Sequence, residues 1–399
     1  MGNIKVISEQ CMGSEFEMPY EEYVDLCDNL STRLKVPFGK LIRTIIREEE
    51  NVLFSPVALL EALVALVHMT EGDTRAQITE NLGLDDNLLN LCGFLEYMAT
   101  HDLSEHSTCN VATSMWLNEL MHVNDESVKA LCGKMNTSAY AGKMGSDEFN
   151  KTVQKWVDEN TGNMLTEEVS DISLDVDTFL ALFSTLYVKT SWCHAFDEES
   201  TSSGTFFSST GENVECEYMD KECNCGIYRG DTYSAISLEL EDDYEMTFVL
   251  PTQGNTIEEL LDSSSCMDFL LTGKGAVGTY ASVHMRIPKF DIKSKLNIKK
   301  YMTDMGMLDV FDVTKANFLP IAINMNDLCV SNIEQNTRLT IDEEGIEGAS
   351  YVEIIMYTGC PMSHDDLEEV EFILDRPFIA AVSRYNIPLL VASVGDPTK

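Results

Sequence analysis

The chain has 399 residues, 44% of them apolar, which is enough for a sizeable core, and its 67 acidic against 27 basic side chains give a formal charge of −40. A charge of that sign and size repels nucleic acid and heparin-like polyanions, so neither is expected as a partner. No run of 18 apolar residues marks a membrane span, and Met1–Tyr20 lacks the apolar core of a secretory signal; the expectation is cytoplasmic residence, or secretion without a leader, and no membrane contact.

From the N-terminus, the Met-Gly start is a poor myristoylation match because Val6 stands where Ser or Thr is wanted. Residues 1–24 read as an N-terminal extension, and with no Pro/Gly/Ser-rich linker beyond them, 25–399 read as one domain and the protein as a monomer. Glu21–Glu48 carries Val24, Cys27, Leu30, Leu34, Phe38, Leu41 and Ile45 near helical spacing, with an interruption expected at Pro37. Asn51–Ser55 predicts a short strand, and Pro56 then opens a helix at the one turn where a missing N–H is harmless. Val57–His68 is almost wholly apolar and should be buried.

The middle of the chain offers two chemical motifs, neither of which holds. Gly273–Gly278 satisfies G-x-G-x-x-G, but it follows a helix-like run (Thr256–Leu271) and precedes a strand (Tyr280–Ile287), the reverse of a dinucleotide site. Cys216, Cys223 and Cys225 match no zinc spacing and have no flanking His. Neither H-E-x-x-H nor G-x-S-x-G occurs, so no enzyme, metal or cofactor is expected. Twelve irregularly spaced cysteines read as free thiols, and the sequons at Asn29, Asn136 and Asn150 as unused.

Near the C-terminus, Glu343–Ser350 combines an extended backbone with small side chains at Gly345, Gly348, Ala349 and Ser350, the make-up of a hinge. From Ile346 the even positions (Ile346, Gly348, Ser350, Val352, Ile354, Met356) alternate with Glu347, Ala349, Tyr351, Glu353, Ile355 and Tyr357, the period of a strand with one buried face. Thr358–Asp366 then reads as exposed loop.

These segments resemble, in order, the landmarks of the serpin family of suicide protease inhibitors and their non-inhibitory relatives. The resemblance rests on Asn51–Pro56, Gly72–Ile78, Phe149–Met164, Phe179–Trp192, Ser203–Phe206, Phe248–Pro251, Ile287–Phe290 and Val394–Pro397, and it covers roughly residues 25 to 397. It implies an α+β single domain of three β-sheets and about eight or nine helices, with an exposed reactive-centre loop over about 343–374. It also implies an inhibitor that traps a serine or cysteine protease by inserting its cleaved loop into the central sheet; the alternative is a non-inhibitory binding or scaffold protein.

The family's sheet latch maps onto Trp192, Lys289 and Glu343, and its mid-sheet cluster onto Ser55, Ala58, Ser184 and Gln335, of which only Ser55 keeps the usual residue. The hinge maps onto Glu343, Gly345, Ile346, Glu347, Gly348, Ala349 and Ser350; Ile346 replaces a Thr or Ser and Gly348 an Ala. Counting from the hinge places the reactive bond at Gly359–Cys360, with Met362–Ser363 second. Counting back from Pro377-Phe378 gives Asp366–Leu367, so the loop is about seven residues longer than usual. With no Arg or Lys at the favoured bonds, trypsin-like targets are not expected. Solubility alone accounts for the acidic surface; steering toward a basic protease is the sharper reading.

Overall fold

The computed structural model describes residues 4–9, 20–46, 51–101, 103–121, 123, 125–135, 137–273, 277–322, 328–330, 333–347 and 367–399. The expected α+β class holds. In chain order the strands are β1 (Lys5–Ser8), β2 (Asn51–Phe54), β3 (Ser107–Asn118), β4 (Ser138–Gly142), β5 (Leu180–Ser191), β6 (Ser202–Phe207), β7 (Asn213–Arg229) and β8 (Tyr233–Glu239). They continue with β9 (Tyr244–Pro251), β10 (Val277–Pro288), β11 (Phe290–Asn297), β12 (Glu334–Ile341), β13 (Gly345–Ile346), β14 (Glu369–Ile373), β15 (Phe378–Arg384) and β16 (Ile387–Val394). The helices are α1 (Tyr20–Ile45), α2 (Pro56–Met69), α3 (Gly72–Leu82), α4 (Asp86–Leu91), α5 (Leu95–Thr100), α6 (Asp125–Met135), α7 (Asp147–Asn160), α8 (Thr166–Ser170), α9 (Ile257–Asp262), α10 (Ser264–Thr272) and α11 (Ile298–Asp304).

The strands build a seven-stranded sheet in the order β1-β4-β3-β5-β13-β12-β11 and a nine-stranded one running β14-β10-β7-β8-β9-β15-β16-β2, with β6 beside β7. Three sheets are expected from the sequence; the second and third share β7, which pairs with β6 through Tyr218 and with β8 only from Ile227. Residues 5–8, read as part of an extension, are the edge strand of the first sheet, and α1 already begins at Tyr20.

Local chemistry explains the elements that place the site. Ser55 ends β2 and caps α2, its hydroxyl accepting from the Ala58 N–H at 3.1 Å while Pro56 takes the first helical position. Eleven of the fourteen residues of α2 are buried, because it lies between β3 and β5 of one sheet and β16 of the other. Pro37 does not interrupt α1: Leu30, Leu34, Phe38 and Leu41 on the buried face hold the helix through it. The Thr256–Leu271 run does break, at Ser263, whose side chain caps α10 just as its N–H closes α9. β15 and β16 are buried throughout and meet in a two-residue turn with Tyr385 (φ 50°) and Asn386 (φ 59°) both left-handed, the geometry that matches strand twist.

On the opposite face of the first sheet α7 and α8 cover a second apolar cluster around Trp116. Its indole is fully buried, stacks on Tyr140 at 4.4 Å and meets Phe149 edge-on at 5.6 Å, and its N–H donates to the Ser114 hydroxyl at 2.8 Å. Replacing Trp116 with Ala is expected to cost about 3–5 kcal/mol, read as a lower urea midpoint with an unchanged slope.

Candidate functional site

Among the described residues, β5 and β12 share no ladder of their own; only Gly345 and Ile346 of β13 stand between them. Ile346 pairs with Ile341 on one side and Thr190 on the other, and its side chain is fully buried. The residue expected to enter the sheet on cleavage is therefore already inside it. Gly345 is required by close approach, since a Cβ there would lie 2.3 Å from the Thr190 carbonyl oxygen and 2.7 Å from the Ser191 Cα. The next residue, Glu347, has φ 49°, a left-handed turn that takes the chain out of strand geometry. Burial raises the pKa of its carboxyl, one oxygen of which has no hydrogen-bond partner.

Below β13 a cavity of about 400 Å³ runs between β5 and β12. Leu59, Ala62 and Leu63 of α2 line it on one face of the sheet, and Val169 and Ile172 close it on the other. Its polar wall includes Asn336 Oδ1 and Thr337 Oγ1, both buried without a hydrogen-bond partner. Unpaired polar atoms and an apolar floor make a slot suited to an extended strand, which would supply backbone groups to the rim and side chains to the interior.

At the upper end of the slot the structure brings Trp192, Lys289 and Glu343 together. Lys289 Nζ lies 2.9 and 3.1 Å from the two Glu343 carboxylate oxygens, and the Thr201 hydroxyl donates to the same carboxylate at 2.6 Å. Burial alone would raise the Glu343 pKa; the hydrogen bonds from Thr201 and Lys289 outweigh it and hold the carboxyl below its ordinary value. The same hydrogen bond raises the Lys289 pKa. Trp192 does not touch that pair through its ring polar atom: its Nε1–H donates to the Asp342 carbonyl at 2.9 Å and its backbone N–H to the Glu344 carbonyl at 3.1 Å. Phe196 packs edge-on against the indole at 5.6 Å and donates its N–H to the Glu343 carbonyl.

Mid-slot, Gln335 spans the gap to α2 with a reciprocal pair, its Oε1 accepting from the Ser55 N–H at 3.1 Å and its amide donating to the Ser55 carbonyl at 3.2 Å. Ser184 is not part of that pair; its hydroxyl lies 3.2 Å from Thr113 Oγ1, which lies 3.2 Å from Glu61 Oε2. Burial, then the charge of Glu96, pushes the Glu61 carboxyl up to about 8 against the opposing Thr113 hydrogen bond. Ala58 gives no hydroxyl and sits in the floor. The sequence reading misses Glu61, Thr113 and Thr201; a lone acid in the apolar run Pro56–Met69 is the signal that marks Glu61.

Gly348, Ala349, Ser350, Gly359, Cys360, Met362 and Ser363 lie outside the described residues. Among those described, no group of three or more His, Cys, Asp or Glu is placed to hold a metal ion, and no helix is long and apolar enough to cross a membrane. The ten described cysteines are free thiols.

The fold and slot define an α+β protein whose central sheet holds Gly345 and Ile346 between β5 and β12 above an open cavity. The serpin (serine protease inhibitor) family profile matches residues 38–397, and the chain belongs to that family. It is 26% identical over 372 residues to an uncharacterized serpin-like protein of Methanosarcina acetivorans, covering 88% of this chain and 82% of the relative. Among solved structures it is similar to the thermophilic serpin tengpin in the native state (TM-score 0.78, 20% identity, 98% and 97% of the two chains). It is also similar to human thyroxine-binding globulin in complex with thyroxine (TM-score 0.78, 17% identity, 94% and 100% of the chains).

Lys289→Met removes the cation and leaves Glu343 buried with Thr201 alone, and is expected to cost about 1–3 kcal/mol near neutral pH in urea unfolding. Because the Glu343 pKa is depressed by folding, its contribution is present above the unfolded carboxyl value of about 4.3 and is lost as pH falls through the lower folded value. The gap between parent and variant should close below about pH 4. Glu61 has the opposite sign. Its folded pKa of about 8 means the folded state binds more protons from the unfolded value upward, so stability falls as pH rises toward 8. Glu61→Gln should flatten that decline between pH 5 and 8; parallel stability curves for the two proteins would contradict it.

Proposed function

We propose that this serpin is a suicide inhibitor of serine or cysteine proteases, in which cutting the loop beyond Glu347 releases the chain to fill the slot between β5 and β12. The observation that carries the reading is β13: Gly345 and Ile346 are laddered to both strands at the mouth of a cavity that continues below them. Extending both ladders by six residues from Ile346 sets Val352 between Ser184 and Gln335, and the period of two aims Gly348, Ser350, Val352, Ile354 and Met356 inward. In this reading Trp192, Lys289 and Glu343 act as a latch that keeps the slot's mouth in register, while Ser55, Ser184 and Gln335 resist parting lower down. The bait is Gly359–Cys360 or Met362–Ser363, the target is not trypsin-like, and the protein acts as a monomer in the cytoplasm.

A non-inhibitory binding role is the second reading. It is favoured by the hinge, since Ile346 is buried in the intact chain and part of the gain from insertion is already realised. Thyroxine-binding globulin, whose fold this chain shares, was solved with thyroxine bound.

A confirmed single cut within 357–367 separates the two readings. The inhibitor reading expects a two-chain product much more heat-stable than the intact protein, because the slot gains strand hydrogen bonds and buried apolar side chains; an unchanged melting temperature supports the binding role. Val352→Arg should turn inhibitor into substrate, with loop cleavage continuing and denaturant-stable complex with protease lost, since a charge entering the slot adds several kcal/mol to insertion. A charge at Ile346 would act on the intact state instead. Steering by the acidic surface predicts that association with basic proteases slows steeply from low to physiological salt, and a flat dependence would assign the charge to solubility.

A further inference from the structure

We propose that Cys223 and Cys225 on β7 form a reversible thiol-oxidation site, with Cys223 the attacking thiolate and Cys225 the resolving thiol. Lys221, Cys223 and Cys225 stand at alternate positions of β7, so all three share one face, with the exposed Glu222 and Asn224 on the other. Both thiols are half-buried, hence reachable by a small oxidant, unlike the buried Cys27, Cys92, Cys109, Cys132 and Cys266. Lys221 supplies the positive field. Its ammonium donates to the His194 carbonyl at 2.6 Å and lies 5.0 Å from the centre of the Phe196 ring.

The hydrogen bond from Cys225, aided by the Lys221 charge, lowers the Cys223 pKa to about 7 against burial, whereas burial pushes Cys193 and Cys216, two of the other half-buried thiols, up. A thiolate near neutral pH, beside a cation and a second thiol, is the environment that makes a cysteine reactive.

Geometry lets the pair close. Residues two apart on a strand have Cα atoms about 6.4–6.8 Å apart, at the upper limit a disulfide spans, and their parallel Cβ atoms must draw together to about 3.8 Å, so closure requires the backbone to leave extended geometry around Asn224. Only one edge of β7 resists this there: β10 pairs with it throughout, but on the other edge pairing with β6 stops at Tyr218 and pairing with β8 starts only at Ile227. The neighbouring Gly226 adds no side chain to resist the bend.

The oxidant is hydrogen peroxide. The Cys223 thiolate attacks one peroxide oxygen, the O–O bond breaks, and hydroxide leaves and takes a proton from solvent, giving a sulfenic acid and water. Cys225 sulfur then attacks the Cys223 sulfur, the S–O bond breaks, and the hydroxyl leaves as water with the Cys225 proton. Two thiols are oxidised by two electrons and one peroxide is reduced to two waters; a dithiol reductant reverses the step.

The test treats the full chain with hydrogen peroxide, alkylates remaining thiols and digests with trypsin, which releases Glu222–Arg229 as a peptide holding these two cysteines and no other. The expected peptide is unalkylated and lighter by two hydrogens, and regains both alkyl groups after dithiothreitol. In Cys225→Ser a 1,3-dione probe should trap sulfenic acid on Cys223, while Cys223→Ser leaves Cys225 unlabelled at the same dose. A Glu222–Arg229 peptide that stays fully alkylated at a dose oxidising other cysteines, or equal labelling of Cys225 in Cys223→Ser, overturns the proposal. The wild-type peptide decides the matter even if either variant folds poorly.

Discussion

Two central strands held apart by two residues set the terms for the rest of this molecule. β5 and β12 each offer a row of backbone donors and acceptors toward the other, and β13 meets them only at the top. Such a gap inside a buried sheet is costly in hydrogen bonds, so it persists only if the elements on both faces hold its walls in place. α2 does this from below and α7 with α8 from above, which explains why α2 is buried almost all round and why the Trp116 cluster sits where it does.

The polar contacts around the slot differ in kind along its length. At the mouth an ion pair of low exposure, a hydroxyl and an indole N–H converge on Asp342–Glu344. Half-way down the contacts are neutral and few: Gln335 with the Ser55 backbone, and a hydroxyl relay from Ser184 through Thr113 to Glu61. A carboxyl held neutral at the end of that relay can donate toward Thr113, freeing the single Thr113 hydrogen for Ser184; ionised, it must accept and competes for it. The contacts across the slot are therefore charged at the top and sensitive to the protonation of Glu61 in the middle.

β7 joins the two halves of the nine-stranded sheet and is the place where that sheet forks. The fork leaves Lys221 free to reach the His194 and Ala195 carbonyls and the Phe196 ring, and Phe196 in turn backs Trp192. The thiol pair and the hinge are thus linked through three contiguous side chains, while lying in different sheets.

The sequence by itself determined several of the apolar and alternating segments and the order of the landmarks. The apolar run after Asn51–Pro56 reads as a buried helix, the alternation from Ile346 reads as strand, and the convergence of Trp192, Lys289 and Glu343 was legible from the resemblance, because each depends on short-range periodicity or a recognisable pattern. The fork in β7 was not legible, since which edge a strand shares is set by partners far away in the chain. Thr201 beside Glu343, and Thr113 between Glu61 and Ser184, come from segments 142 and 52 residues away from the carboxylates they serve. That Ile346 is already inside the sheet, with Glu347 turned left-handed behind it, was likewise decided by tertiary structure alone. Period-two patterning says that a segment is able to be a strand; whether the space between two others is open to receive it is a property of their packing, which no local pattern encodes.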